Sequence, residues 1–561
     1  MVSPVLKSDA SPELIAQVQE IEDRCDKWAD ALALSGYSYD VGAWGVLTQM
    51  IKLIEEQISR YGHGSQRQRE AMINLGRAGS LLLDWLAKTK PPEKNSWLRW
   101  TSELARAGEE AVLAAHNYAA FVSCFTMWHR DRMTVEVLSS TRLRFRVLPS
   151  PIDRRIRAHQ QGVRLPGWPS TVDNPVDKAL VNDPEVNHLL SKLWDRATLE
   201  GALAMRYPDD SELLSVLRNI YDARQRLTFR RDPLLDLGGY DLSDFRRFFA
   251  VLLAVCSVHE VFCDWWFKKS GRYPFESAVI VRRLEDWVGL VARLSSLEES
   301  KVRQIIADLT FGAIRSLDVY IHPFVPSLDR ETLFLLPHFV LNSRAEENIL
   351  RVCSYARRQF YSLIANAKEA EMRDSIKASA PSRYSVLGPR KLPDPKLPDI
   401  DLVIKDAQSA SVLVGELKWP RKVVRVIEHV ERDAELEEGF RQLRDVRTFL
   451  EQFPEYLRES GINSAGETQP SLSFALIARD HLAHLPQRDG LWLAEFDALI
   501  WALQNSESLP DACHKLQTYE WLPVEGRDFV VQFEAASVAG VTIESEVFHR
   551  PQDLQTTAIS A

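Results

Sequence analysis

Two short stretches of this chain hold residue types that could do chemistry together. In Leu397-Pro398-Asp399-Ile400-Asp401-Leu402-Val403-Ile404, two carboxylates stand at the start of an apolar strand. In Ser411-Val412-Leu413-Val414-Gly415-Glu416-Leu417-Lys418-Trp419-Pro420, a second apolar strand closes on a glutamate and a lysine. Residues 405–410 turn the chain between them, so a hairpin would bring Asp401 toward Glu416. Strand alternation puts Glu416 and Lys418 on one face. Two acids converging beside a lysine is an oxygen site of the kind a hard cation such as Mg²⁺ or Mn²⁺ needs. The chemistry on offer is metal-assisted attack of water on a phosphorus centre, with the lysine orienting or deprotonating that water. The competing reading is an exposed cross-strand ion pair, worth less than about 1 kcal/mol. It does not explain why these charges sit among Val412, Leu413 and Val414.

On these residues the C-terminal part resembles the PD-(D/E)xK nuclease superfamily, the restriction-endonuclease-like proteins. Pro398-Asp399 or Ile400-Asp401 would be the first half-motif and Glu416-Leu417-Lys418 the second. The resemblance covers about residues 340–500 and implies an αβββαβ core. Glu438-Gly439-Phe440-Arg441-Gln442-Leu443 would open the helix after the motif, and Leu472-Ser473-Phe474-Ala475-Leu476-Ile477-Ala478-Arg479 would be the next strand. The implied catalytic set is Asp401, Glu416, Lys418 and Gln442. The implied metal set is Asp401, Glu416 and the Leu417 carbonyl, with Asp399 as a second candidate. An acid on the preceding helix would join them: Glu371 first, Glu369 in reserve. A surface glutamate in an i,i+4 pair is the competing account of Glu371, and a helix-exterior position that of Gln442. Arg421 and Lys422 would meet a phosphate beside the site. The resemblance implies an Mg²⁺-dependent nuclease acting on DNA, with RNA also open, and a setting in prokaryotic antiviral defence or restriction.

The elements that must hold this hairpin are strand-like and helical by pattern. A helical stretch over about residues 344–376 carries Ile349, Val352, Ala356, Phe360 and Leu363 on one side. The first 320 or so residues read as helices: Leu14, Val18, Ile21, Cys25, Trp28 and Leu32 repeat at helical spacing after the start signal Ser11-Pro12-Glu13. Leu47, Ile51, Ile54 and Ile58 form a second stripe. The expected class is α+β: an all-α N-terminal region over 1–325, with a further division near 165, then a mixed-sheet domain over 326–545 and a polar tail over 546–561. One stretch departs from helix. Arg142, Arg144 and Arg146 alternate with apolar residues, and Arg154, Arg155, Arg157 and Arg164 follow. They would grip nucleic-acid phosphates, or else form a solvated face.

Composition excludes some classes. The 561 residues carry 69 Lys and Arg against 78 Asp and Glu, a net charge of −9, which rules out a histone-like polybasic binder. Glycine is scarce, 24 residues, which favours helices. Six cysteines without a CxxC pair point to reduced thiols and a cytoplasmic setting. The apolar run over 248–258 is too short to span a bilayer and reads as a buried helix, so no membrane is expected. Cys256, His259 and Cys263 share a face of it and read as packing. The sequence holds no P-loop, HExxH or GxSxG motif. The rival to the nuclease is a non-catalytic adaptor whose helical part binds another protein subunit while the nuclease-like domain clamps nucleic acid.

Overall fold

A computed structural model describes residues 4–61, 66–89, 99–148, 150–160, 163, 165, 184–200, 204–228, 235–314, 318–343, 345–406, 408–420, 428–462, 470–479 and 490–551. The chain is an α+β protein, and its described strands form four sheets. The elements start where local chemistry predicts. Ser11 Oγ accepts a hydrogen bond from the Leu14 N–H (3.2 Å), proline stands in the first turn, and Leu14, Val18, Ile21 and Cys25 are buried. That helix ends at Cys25, short of Trp28 and Leu32 in the same stripe. Tertiary contacts take over there: Trp28 stacks on Tyr118 at 5.2 Å, and the Tyr118 hydroxyl donates to Asp26 (2.7 Å).

Helices Tyr39–Tyr61, Ser102–His129 and Leu242–Ser270 build the main apolar core. The last opens on a capping box, Asp241 with Asp244, and stops at Gly271 in the left-handed region (φ 70°), where glycine is favoured. By length and composition it could cross a membrane, yet most of its apolar stretch is buried in this core. His259 packs there between the Tyr207 hydroxyl (2.8 Å) and the Ser277 carbonyl (2.7 Å), and Cys256 and Cys263 are buried free thiols, as are the other four cysteines.

The N-terminal region also carries strands. Met133–Ser139 (β1) and Arg142–Val147 (β2) form a hairpin, and Thr198–Glu200 (β3) with Ala204–Arg206 (β4) a smaller one. Ile280–Arg283 (β5), Phe324–Pro326 (β6) and Thr332–Leu335 (β7) make an antiparallel sheet in the order 5-7-6. Phe324, Leu333, Phe339, Ile349 and Ile364 all join the helical core, so the boundary expected at 325 falls inside it. The site-bearing sheet comes next: Tyr384–Leu387 (β8), Leu402–Asp406 (β9), Ser411–Lys418 (β10), Ser471–Ala478 (β11) and Trp492–Glu495 (β12), in the order 12-11-10-9-8. β9 is antiparallel to both β8 and β10, while β11 is parallel to β10 and to β12.

Val530–Val538 (β13) and Val541–His549 (β14) then return to the N-terminal region, β14 pairing parallel with β2. The residues expected to end the second domain thus complete the first sheet. The arginine ladder meets its partners here. Glu544 pairs with Arg142 and with Arg144 (2.6 Å), Glu136 lies 3.4 Å from Arg146, and both guanidinium groups of Arg144 and Arg146 stack on Phe533 at 4.7 Å. Glu136 and Glu544 are buried. Arg142, Arg144 and Arg146, expected at phosphates, are here placed opposite internal carboxylates and cross-link the sheet.

His322 lies in the helical core, fully buried, with neither ring nitrogen hydrogen-bonded. Burial disfavours its charged form and pulls its pKa from 6.5 to about 3. The folded value lies below the unfolded one, so the stability tied to keeping it neutral is whole above the unfolded pKa and is lost as pH falls from 6.5 toward 3. Between pH 7 and pH 5 this group is expected to cost about 2 kcal/mol. His322→Leu should flatten the wild-type fall in Tm over that interval, measured by thermal melts across the pH series.

Candidate functional site

β10 is buried on both faces. Leu413 and Leu417 enter the core beneath helices Tyr361–Ser379, Phe496–Gln504 and Leu509–Gln517, while Val412 and Val414 enter the core beneath helix Glu428–Gln452. Such a strand reads as a continuous apolar run, which makes polar residues at its end conspicuous. The β9–β10 ladder pairs Val414 with Val403 and Gly415 with Leu402. One step beyond, Asp401 and Glu416 leave the ladder side by side. Asp401 Oδ2 accepts from the Leu417 N–H (3.0 Å), and its carboxyl is within hydrogen-bonding reach of Glu416. Lys418 Nζ donates to Glu416 Oε1 at 2.6 Å. The hairpin expected from the sequence therefore brings the two acids and the amine together.

The helices on either side complete the site. Gly439 faces the lysine: a Cβ there would lie 3.3 Å from Lys418 Cγ and Cε and 2.7 Å from Leu476 Cδ1. Helix Tyr361–Ser379 supplies a third carboxylate, Glu369, whose Oε1 accepts from the Trp419 N–H (3.3 Å) at the end of β10. Arg373, one turn further on, donates from Nη1 to the Asp401 carbonyl (3.2 Å).

Burial dominates the electrostatics. It pushes Glu416 up to about 8, helped by the charges of Asp401 and Glu369 and opposed by Lys418. It pushes Glu369 up to about 7, with Lys418 opposing and Asp401 adding, and it raises Asp401 against the Leu417 N–H and Lys418. Burial works against the charge on Lys418 too, but Glu416, Glu369 and Asp401 outweigh it and hold the ammonium above the usual lysine range. Three carboxylates that ionise reluctantly around one retained ammonium form a site short of positive charge. Asp401 and Glu416 are the pair that could hold a divalent ion there, with Glu369, bonded to the Trp419 N–H, beside them.

Other expected residues fall elsewhere. Glu371 binds Lys368 (2.9 Å), which also binds Glu346 (2.7 Å), so it is part of a buried ion cluster and not of the site. The reason is helix phase: two residues turn a helix by about 200°, so only one of Glu369 and Glu371 can face β10. Asp399 is exposed and acts on Tyr456. Leu417, expected to act through its carbonyl, gives its backbone N–H to Asp401 and sends its side chain into the opposite core. Gln442 lies one turn past Gly439 with a buried Oε1 that has no hydrogen-bond partner. Arg421 and Lys422 lie outside the described residues. Sequence reasoning missed Arg373; its spacing of four from Glu369 was the available signal.

Comparison with protein-family models, curated proteins and solved structures returned no match.

Gly439→Val should force the helix or Lys418 aside and lower stability by about 1–3 kcal/mol. Gly289→Ala, where an added Cβ meets nothing within 4 Å, serves as the neutral comparison in the same thermal melts.

Proposed function

We propose that this protein is a metal-dependent nuclease of the PD-(D/E)xK type, hydrolysing phosphodiester bonds with Mg²⁺ or Mn²⁺. The observation that carries the reading is the meeting of Asp401 and Glu416 at the ends of paired strands, with Lys418 Nζ 2.6 Å from Glu416. The order helix, β8, β9, β10, helix, β11 supports it as well, being the αβββαβ arrangement that the resemblance requires.

The residues present fit a hard cation: Asp401 and Glu416 meet at paired strand ends with Glu369 beside them on a helix, and among the described residues Lys418 and Arg373 are the cationic side chains acting on them. A bound Mg²⁺ would offset charge on the phosphorus centre and acidify water. Asp401, Glu416 and Glu369 hold the site's negative charge. Lys418 keeps its proton at neutral pH, so its part is to donate hydrogen bonds to the attacking water or to a phosphate oxygen. Arg373 fixes the Asp401 backbone through the carbonyl it binds. DNA is the substrate class the resemblance favours, and the helical N-terminal region would recognise target or protein partner.

With Mg²⁺ and plasmid DNA, wild type is expected to nick or cut, and Asp401→Ala, Glu416→Ala and Lys418→Ala each to lose at least about 100-fold in rate. Glu369→Gln should lose about 10-fold or more, whereas Glu371→Gln should stay within about twofold of wild type. Absence of ion-dependent cleavage of DNA and RNA by wild type, with unchanged Mn²⁺ binding in the Asp401 and Glu416 variants, would sink the reading.

Mn²⁺ must displace the protons that Glu416 and Glu369 retain up to about pH 8 and 7. Affinity should therefore rise between pH 6 and pH 8.5. Calorimetry in buffers of different ionisation enthalpy should show proton release at pH 6 that fades by pH 8.5.

A further inference from the structure

In the helical core, three helices bring together a second set of ligand-type side chains. Glu55 comes from helix Tyr39–Tyr61, Glu260 from Leu242–Ser270 and His338 from the short helix Pro337–Leu341. One carboxylate or imidazole atom from each lies within 4.8 Å of the others. The His338 side chain is 5% exposed.

Two details separate this cluster from an ordinary ion pair. His338 Nδ1 and Glu260 Oε1 face each other at 3.2 Å as a buried ion pair, yet neither atom has a hydrogen-bond partner of regular geometry among the described residues. They approach without the alignment that a shared proton needs. Two ligands of one tetrahedral ion, with bonds of about 2.0–2.2 Å, stand about 3.3 Å apart and aim at a common point beside the line joining them. The second detail is on the other edge of the ring, where Glu55 Oε1 is 2.5 Å from Nε2. A carboxylate there fixes the proton on Nε2 and leaves the Nδ1 lone pair free, the outer-sphere arrangement usual behind a metal-bound histidine. Glu260 Oε2 receives a hydrogen bond from the Tyr273 hydroxyl (3.4 Å), which holds that carboxylate with Oε1 toward the ring.

We propose that Glu260 and His338 Nδ1 ligate a first-row transition ion of the zinc class in the helical core, with Glu55 orienting the imidazole from behind. Mixed nitrogen and oxygen donors favour such an ion over Mg²⁺, which takes oxygen ligands and keeps its water. The centre ties three helices together and is independent of the nuclease reading.

The test uses the full chain. Protein purified without chelator is assayed for metals by mass spectrometry, then stripped and titrated with Zn²⁺ and, for its absorption bands, Co²⁺. The expected result is close to one equivalent of zinc, also present in Asp401→Ala/Glu416→Ala, with Co²⁺ bands in the visible range. Glu260→Gln and His338→Ala should lose the ion, and Glu55→Gln should weaken its affinity by about 10–100-fold. If His338→Ala does not fold, Glu260→Gln and the wild-type Co²⁺ spectrum decide. Less than a tenth of an equivalent with no Co²⁺ bands, or full retention in Glu260→Gln, would leave a protonated imidazole clamped between two carboxylates and overturn the proposal.

Discussion

The structure turns on the cost of keeping charge at the end of a strand that is covered on both sides. β10 has one core beneath helix Glu428–Gln452 and another beneath helix Tyr361–Ser379, so Glu416 cannot turn to bulk water. Burial of a carboxylate without compensation is expensive, and the raised proton affinities of Glu416, Glu369 and Asp401 are the direct expression of that cost. The neighbouring elements serve this strand end. Gly439 leaves room for the lysine stem, the Trp419 N–H holds Glu369, and Arg373 steadies the backbone of Asp401.

The site does not stand apart from the helical region. The Trp419 ring packs against both the helical core and the core on one face of the mixed sheet, while its backbone N–H is bonded to Glu369. The Tyr361 hydroxyl donates to Glu435 at 3.0 Å, and Arg132 pairs with Asp433 at 3.1 Å. A displacement of the helices has a short mechanical route to the carboxylates through one indole and two polar links.

Much of the site was legible because strand chemistry is local. Alternation alone placed Glu416 beside Lys418, and the apolar runs on either side of the turn placed Asp401 opposite. What could not be read depended on distant partners. Choosing Glu369 over Glu371 needed the rotational phase of a helix whose sequence offers acids on two faces. The alternation of Arg142, Arg144 and Arg146 correctly signalled a strand, but their role was set by Glu544, some 400 residues away in sequence. The domain boundary failed for the same reason: the apolar run of β7 looks like the start of a new unit until β5 is seen paired beside it. Glu55, Glu260 and His338 share no motif at all, since three separate helices bring them together.

The return of β13 and β14 to β2 has a consequence for how the polypeptide can come into being. Leu143 and Phe145 wait for Ile543 and Phe548 to cover them, and the arginines beside them wait for Glu544. On the ribosome, the sheet nearest the start of the chain stays half-made until residues near 549 emerge, by which time the intervening mixed sheet has had the opportunity to form. Release of a shortened product, or a fragment cut to isolate the hairpin site, would leave that early sheet with an open edge and unmatched guanidinium groups, a natural target for chaperones and proteases.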